Sequence, residues 1–277
     1  MLAFVRLAPP LAWRSATVSR SVGKLPARMI SLRPGAAPPL SGCKTVHFIR
    51  HAQGFHNEAE DEALLLGTYS NPAEVLLEEN SGMQYWDAQL TSKGQLQSIE
   101  LKRHIASGHN ISSKTAVWEL SPNPLPLDVI ITSTLTRTIQ TAELALGRPH
   151  AGVGPRWLAT ELCRERVAHY TCDGRRPLSD LRRDFPWVEF AADVPDEDDD
   201  TMWLKKEITD DEAACRSRAV DFVQWLLTLP DTDRNIAVVS HGRFLLHLFS
   251  AFADTIGEEM PSKFQNAEMR TLHVCPA

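Results

Sequence analysis

Residues 1–57 contain no acidic residue at all; the 35 Asp and Glu of this 277-residue chain begin at Glu58. Seven Lys or Arg lie in residues 1–44, which leaves 22 of the 29 basic residues against all 35 acids in the rest, a balance of −13. A body of that charge argues against nonspecific nucleic-acid binding, which needs a basic surface. No run of about 18 apolar residues occurs, so no membrane-spanning helix is expected. The five cysteines, Cys43, Cys163, Cys172, Cys215 and Cys275, form no C-x-x-C pair and are odd in number. That pattern predicts reduced thiols in an intracellular compartment and excludes a disulfide scaffold. No cysteine or histidine spacing supports a metal site, although His47 and His56 lie near His51.

What is present divides the chain in two. Residues 1–43 are rich in Arg, Ser, Ala and Pro, and with no acids they read as an organellar transit peptide. A chloroplast address is placed ahead of a mitochondrial one, and a cytoplasmic location applies if the segment is only a basic tail. The segment is expected to be disordered and outside the fold. Residues 44–277, within a chain of 43% apolar composition, can bury one sizeable core.

Three β-rich runs organise that body: "KTVHFIRH" from Lys44, "LDVIITS" from Leu127 and "NIAVVSH" from Asn235. Their Val/Ile content without polar alternation predicts strands covered on both faces. "MRTLHVC", 269–275, predicts one more strand. Helices are expected at about 91–106 with Thr91 as a cap, 134–146 with Gly147 as a stop, 209–228 and 242–253. Residues 59–90 and 148–208 read as less regular, and the acid run "DVPDEDDD" at 193–200 as a solvated loop. The order predicts a doubly wound, mostly parallel α/β sandwich with helices on both faces.

Ligands in such folds gather at the carboxyl ends of the strands. Here those ends carry Arg50–His51, Ser133 with Arg137 beyond it, and Ser240–His241. Arginine presents a planar fork of donors suited to phosphate oxygens, and a neutral imidazole with one nitrogen held by a hydrogen bond can attack phosphorus. Two of each around one crevice suit a phosphoryl group.

Five segments then resemble, in order, the motifs of the histidine phosphatase superfamily, also called phosphoglycerate mutase-like. They are "RHAQGFHN" from Arg50, "DAQLTSKGQLQ" from Asp87, "STLTRTIQTA" from Ser133, "ELCRER" from Glu161 and "VVSHG" from Val238. "RHAQGFHN" and "CDGRR" (172–176) are similar to the plant and algal branch. The resemblance implies His51 as the phosphorylated nucleophile. It also implies Arg50, Asn57, Arg137 and His241 as phosphate ligands and Glu165 as the proton donor, with Glu161 the alternative acid. Ala52 departs from the glycine usual in the family. No cofactor or metal is implied, and the partner is a phosphorylated small molecule, with no nucleic acid or membrane. The activity expected is a phosphatase working through phosphohistidine; the alternatives are a mutase and a silent phospho-ligand binding protein. Arg164, Arg166, Arg175 and Arg176 are candidates for an electropositive rim, the last two for a second anion.

Overall fold

The computed structural model describes residues 30–34, 41–107, 125–149, 153–205, 211–257 and 262–276. Seven strands form one sheet: β1 (Ile30–Pro34), β2 (Lys44–Arg50), β3 (Val129–Ser133), β4 (Arg156–Thr160), β5 (Glu189–Phe190), β6 (Asn235–Ser240) and β7 (Met269–Pro276). Their order is β1-β7-β2-β6-β3-β4-β5. The β2–β6, β6–β3, β3–β4 and β4–β5 pairs are parallel, and β7 runs antiparallel to both β1 and β2. The helices that matter for the site are α1 (Phe55–Leu66), α2 (Ser92–Ser107), α3 (Thr136–Leu146), α4 (Leu178–Asp184), α5 (Glu212–Thr228) and α6 (Gly242–Ala251).

The apolar runs are continuous because the sheet is covered twice. Val46, Phe48, Ile131 and Val238 pack with Phe222 of α5 and Phe244 of α6. Their neighbours Ile49, Ile130 and Val239 turn to the other face, against Leu101 of α2, Ile139 of α3 and Leu178 of α4. This is the doubly wound α/β sandwich expected, with the four sequence-predicted strands and helices in their places. Thr91 accepts the Gly94 N–H at 3.0 Å, and Gly147 ends α3 at φ 86°. Residues 209–210 lie outside the described residues.

Three expectations are corrected. Ile30–Pro34, set aside with residues 1–43, is an edge strand that buries Ile30 and Leu32 against β7. Its short Ile-Ser-Leu alternation is hidden by the surrounding Arg and Pro, and residues 1–29 and 35–40 lie outside the described residues. Second, Cys43 and Cys275 are disulfide-bonded. The antiparallel register pairs Lys44 with Val274, which brings these cysteines together from 232 residues apart, a proximity no local spacing reveals. Cys163, Cys172 and Cys215 are free and buried. Third, the "irregular" stretches contain α1, β4, β5 and α4. Among the described residues no helix is long and apolar enough to cross a membrane.

Candidate active site

The carboxyl ends of β2, β3 and β6 meet as the topology requires, and the turn after β2 is built around His51. The His51 N–H donates to Ser240 O at 2.9 Å, which ties it to the end of β6. Its ring Nδ1 lies 2.7 Å from Ala52 O. A carbonyl can only accept, so Nδ1 carries the proton and Nε2 keeps its lone pair. His241 packs edge-on to it with ring centroids 5.1 Å apart, and its Nε2 lies 2.7 Å from Ser133 Oγ. That hydroxyl already accepts the Leu135 N–H. The Nδ1 of His241 is buried without a hydrogen-bond partner.

The remaining motifs hold this turn in shape. Thr141 Oγ1 accepts the Ala52 N–H at 3.0 Å, and Gln97 Oε1 accepts the Gln53 N–H at 2.8 Å. Gly94 is required by close approach, since a Cβ there would lie 2.0 Å from Gln53 O. Asp87 takes the Thr136 N–H at 2.8 Å at the start of α3, and Gln140 of α3 takes the Leu90 N–H at 2.9 Å. The D-x-x-L-T-x-x-G-x-x-Q and S-x-L-x-R-x-x-Q-T-A segments thus clamp the loop that carries His51. The second of them also supplies Arg137, which lines the cavity.

A cavity of about 530 Å³ opens in front of this turn, lined by Arg50, His51, Asn57, Arg137 and Glu165 among others. His241 stands behind His51, fully buried. Arg137 is buried, with Nη1 donating to Cys172 O at 2.7 Å and Nη2 to Asp173 Oδ1 at 3.2 Å. Arg50 donates to Phe264 O at 2.8 Å, and no carboxylate lies within ion-pair distance of it among the described residues. Gly242 lets this guanidinium approach α6, since a Cβ there would sit 3.1 Å from Nε. The Asn57 amide oxygen accepts the Gly54 N–H at 3.1 Å, and Asn57 lines the cavity beside Glu60. The Nε atoms of Arg50 and Arg137 are buried and unpaired, as is Nδ1 of His241. Folded proteins seldom leave such buried polar atoms unsatisfied without a ligand or ordered water to meet them.

The two candidate acids separate cleanly. Glu165 lines the cavity and receives the N–H groups of Phe244 and Arg166 at 2.9 Å and of Arg243 at 3.1 Å, at the start of α6. Glu161 instead faces Thr134, Arg164 and Arg175 at 2.9, 3.1 and 3.2 Å. Lining residues that the sequence reading does not assign to the site include His56 and Asp173, although both stand in the quoted motifs "RHAQGFHN" and "CDGRR".

The electropositive rim is corrected too. Arg164 and Arg175 are fully buried, and Arg176 pairs with Asp87 and Asp184 at 3.4 and 2.6 Å. Only Arg166 of the four lines the cavity. The acid run is correspondingly more than a solvated loop. Asp200 is buried against Arg164 and accepts the Arg175 N–H, while Asp193 accepts from Thr160 at 2.8 Å. Trp86 packs edge-on to Trp203 and over Gly174, where a Cβ would meet its ring at 2.2 Å. Among the described residues no cluster of three or more His, Cys, Asp or Glu is placed to hold a metal.

Burial sets the protonation of this site. His51 is driven well below its ordinary 6.5 by burial first, then by the charges of Arg137 and Arg50, against the opposing bond to Ala52. His241 is likewise lowered by burial, then by Arg137. Asp173 moves the other way, pushed up to about 7 by burial despite Arg137 beside it. A depressed imidazole stays neutral as pH falls through 6.5, so His51 keeps a usable lone pair in mild acid. An NMR titration of the ligand-free protein is expected to place His51 protonation clearly below pH 6.5. Anion binding should raise it, because negative charge favours the imidazolium. Titration at or above 6.5 without ligand would contradict the buried, cation-flanked setting.

Residues 115–275 match the family model described as the histidine phosphatase superfamily, branch 1. A phosphoglycerate mutase-like protein of Arabidopsis thaliana is 30% identical over 264 residues, covering 84% of this chain and 85% of the relative. The chain belongs to the histidine phosphatase superfamily. A second Arabidopsis relative, phosphoglycerate mutase-like protein 1, is 28% identical over 84% of this chain and 82% of its own length. Among solved structures, a mycobacterial glucosyl-3-phosphoglycerate phosphatase matches at 15% identity and a TM-score of 0.42, over 84% of this chain and 99% of its own. A phosphoserine phosphatase from Entamoeba histolytica matches at 15% and 0.42, over 82% and 89%. The plant resemblance read from "RHAQGFHN" and "CDGRR" thus agrees with the curated relatives of this superfamily member.

Proposed function

We propose that this histidine phosphatase superfamily member hydrolyses phosphate monoesters of small molecules through a phosphohistidine at His51. The observation that carries the reading is the His51 ring. Its Nδ1–H is committed to Ala52 O, its Nε2 lone pair is free, and it lies in a cavity that also holds the Arg50 and Arg137 guanidinium groups. In the first step Nε2 bonds to phosphorus and the ester P–O bond breaks. The leaving oxygen takes a proton from Glu165, which regains one from the water that then attacks phosphorus. That second attack breaks the N–P bond and releases inorganic phosphate. Arg50, Arg137 and Asn57, which line the cavity, donate to the phosphoryl oxygens and offset the charge that spreads over them in the transition state. His241, expected from the sequence as a phosphate ligand, is buried outside the lining and packs against His51.

A mutase shares the first half of this scheme and needs cations for a second anion. Arg175 and Arg176, the sequence candidates, are occupied by Glu161, Asp87 and Asp184. Arg166, Arg243 and Lys263 at the cavity lining are the feature that favours a mutase. Phosphate release from a panel of phosphorylated metabolites, run beside a phosphoryl-transfer assay with 3-phosphoglycerate, decides between them. Release without transfer is expected; efficient transfer with little release would overturn the phosphatase reading.

Arg50→Ala and Arg137→Ala are each expected to weaken inhibition by vanadate about 10- to 100-fold. That is the scale of one charge-assisted hydrogen bond of about 1.5–3 kcal/mol. Removing Arg137 also strands the buried Asp173, so its thermal stability should fall as well. Unchanged vanadate inhibition in either variant would place that arginine outside the anion site.

A further inference from the structure

His56 belongs to the site for reasons independent of the five motifs. Its side chain is buried beside His51, with ring centroids 5.4 Å apart, and it lines the same cavity. Gly54 makes room for it. A Cβ at residue 54 would lie 2.7 Å from the His56 Nδ1 and 2.8 Å from Cε1, so this edge of the ring rests on the glycine backbone. Nδ1 is consequently sealed from solvent and has no hydrogen-bond partner. A buried N–H without an acceptor costs more than a buried lone pair without a donor. The proton is therefore better placed on Nε2, the nitrogen left to face the cavity.

We infer that His56 is a further substrate-contacting residue, presenting a neutral Nε2–H as a donor to the phosphoryl group held between Arg50 and Arg137. The inference rests on the proposed phosphate-binding role of the cavity and adds a ligand to it. A neutral donor suits this place. Burial and the neighbouring Arg137 and Arg50 charges oppose protonation of this ring, so it contributes a hydrogen bond without a further charge. It also gives the Gly-Phe-His order of "RHAQGFHN" a physical meaning: residue 54 is small so that the ring of residue 56 can fold back over it.

The test compares His56→Leu with His56→Gln, whose amide NH₂ reaches to about the position of an imidazole Nε2. His56→Leu is expected to weaken vanadate inhibition about 10-fold or more, the weight of a hydrogen bond to a charged acceptor, and His56→Gln to recover most of that loss. Gly54→Ala, which displaces the ring without removing it, should cause a similar loss. Combining it with His56→Leu should add little, because both changes remove one interaction. Long-range ¹H–¹⁵N spectra of the wild-type ring, assigned through bonds to its own backbone, give a readout that does not depend on any variant folding. They should show the Nε2–H tautomer and a shift of Nε2 when vanadate is added. An Nδ1–H tautomer, an Nε2 signal that ignores vanadate, or a His56→Leu variant inhibited like wild type would overturn the role of His56. Failure of vanadate to inhibit wild type at all would instead sink the phosphate-binding reading on which it stands.

Discussion

His51→Ala is expected to lose phosphate-ester turnover by roughly 10⁴- to 10⁶-fold, the range seen when the nucleophile of a concerted catalytic set is removed. The size follows from the absence of a substitute. The nearest imidazole, His241, is fully buried, and its Nε2 is held by Ser133, so it cannot offer the same lone pair to the cavity. His56 carries its proton on the nitrogen that faces the site, and its other nitrogen is sealed against Gly54. The fold should survive the change, because the backbone bond from residue 51 to Ser240 does not involve the ring. Circular dichroism and a melting curve like those of wild type, with turnover near the uncatalysed rate, are the expected pair of results. Activity within tenfold of wild type would mean that His51 is not the phosphorylated nucleophile.

The second large effect concerns Glu165. Breaking the P–O bond leaves an alkoxide that needs a proton when the leaving group is a sugar or glycerate hydroxyl. An acidic phenol scarcely needs one. Glu165→Gln is therefore expected to slow alkyl phosphates by about 10²- to 10⁴-fold, the usual weight of general acid catalysis, and p-nitrophenyl phosphate far less. The substitution keeps an oxygen to accept the Phe244 N–H, so the start of α6 should stay in place. Equal slowing of both substrates would make Glu165 a positioning group for α6 and not a proton donor. If neither substrate slows, the acid to examine next is Asp173. Glu161, the sequence alternative, does not line the cavity, whereas Asp173 does and has its carboxyl held up to about 7.

Much of this arrangement was legible in the sequence because its signals are local. The Val/Ile runs of β2, β3 and β6 announce strands covered on both faces, and each ends close to residues around the site: Arg50 and His51 after β2, Arg137 beyond Ser133, and His241 after Ser240. Thr91 and Gly147 mark helix ends through short-range hydrogen bonding. What stayed hidden depends on contacts between distant segments. Whether Arg164 and Arg175 are surface charges or buried clamps is decided by Asp200 and Glu161, and only the folded loop brings Asp200 to them. The acid run looked solvated because four of its acids, Asp196 to Asp199, are exposed, while Asp200 beside them is not. Cys43 and Cys275 meet through β2–β7 register, and β1 finds its partner at the far end of the chain. His56 was visible but unreadable, since its role follows from how its ring rests on Gly54.

The most direct test of the account is rapid quenching of wild-type protein with ³²P-labelled ester during turnover, followed by peptide mapping. Label that is acid-labile and base-stable and that maps to the peptide bearing His51, with none in His51→Ala, is the predicted result. Stable label on a serine or threonine, label on His241 or His56, or rapid turnover with no trapped label at any quench time would contradict it.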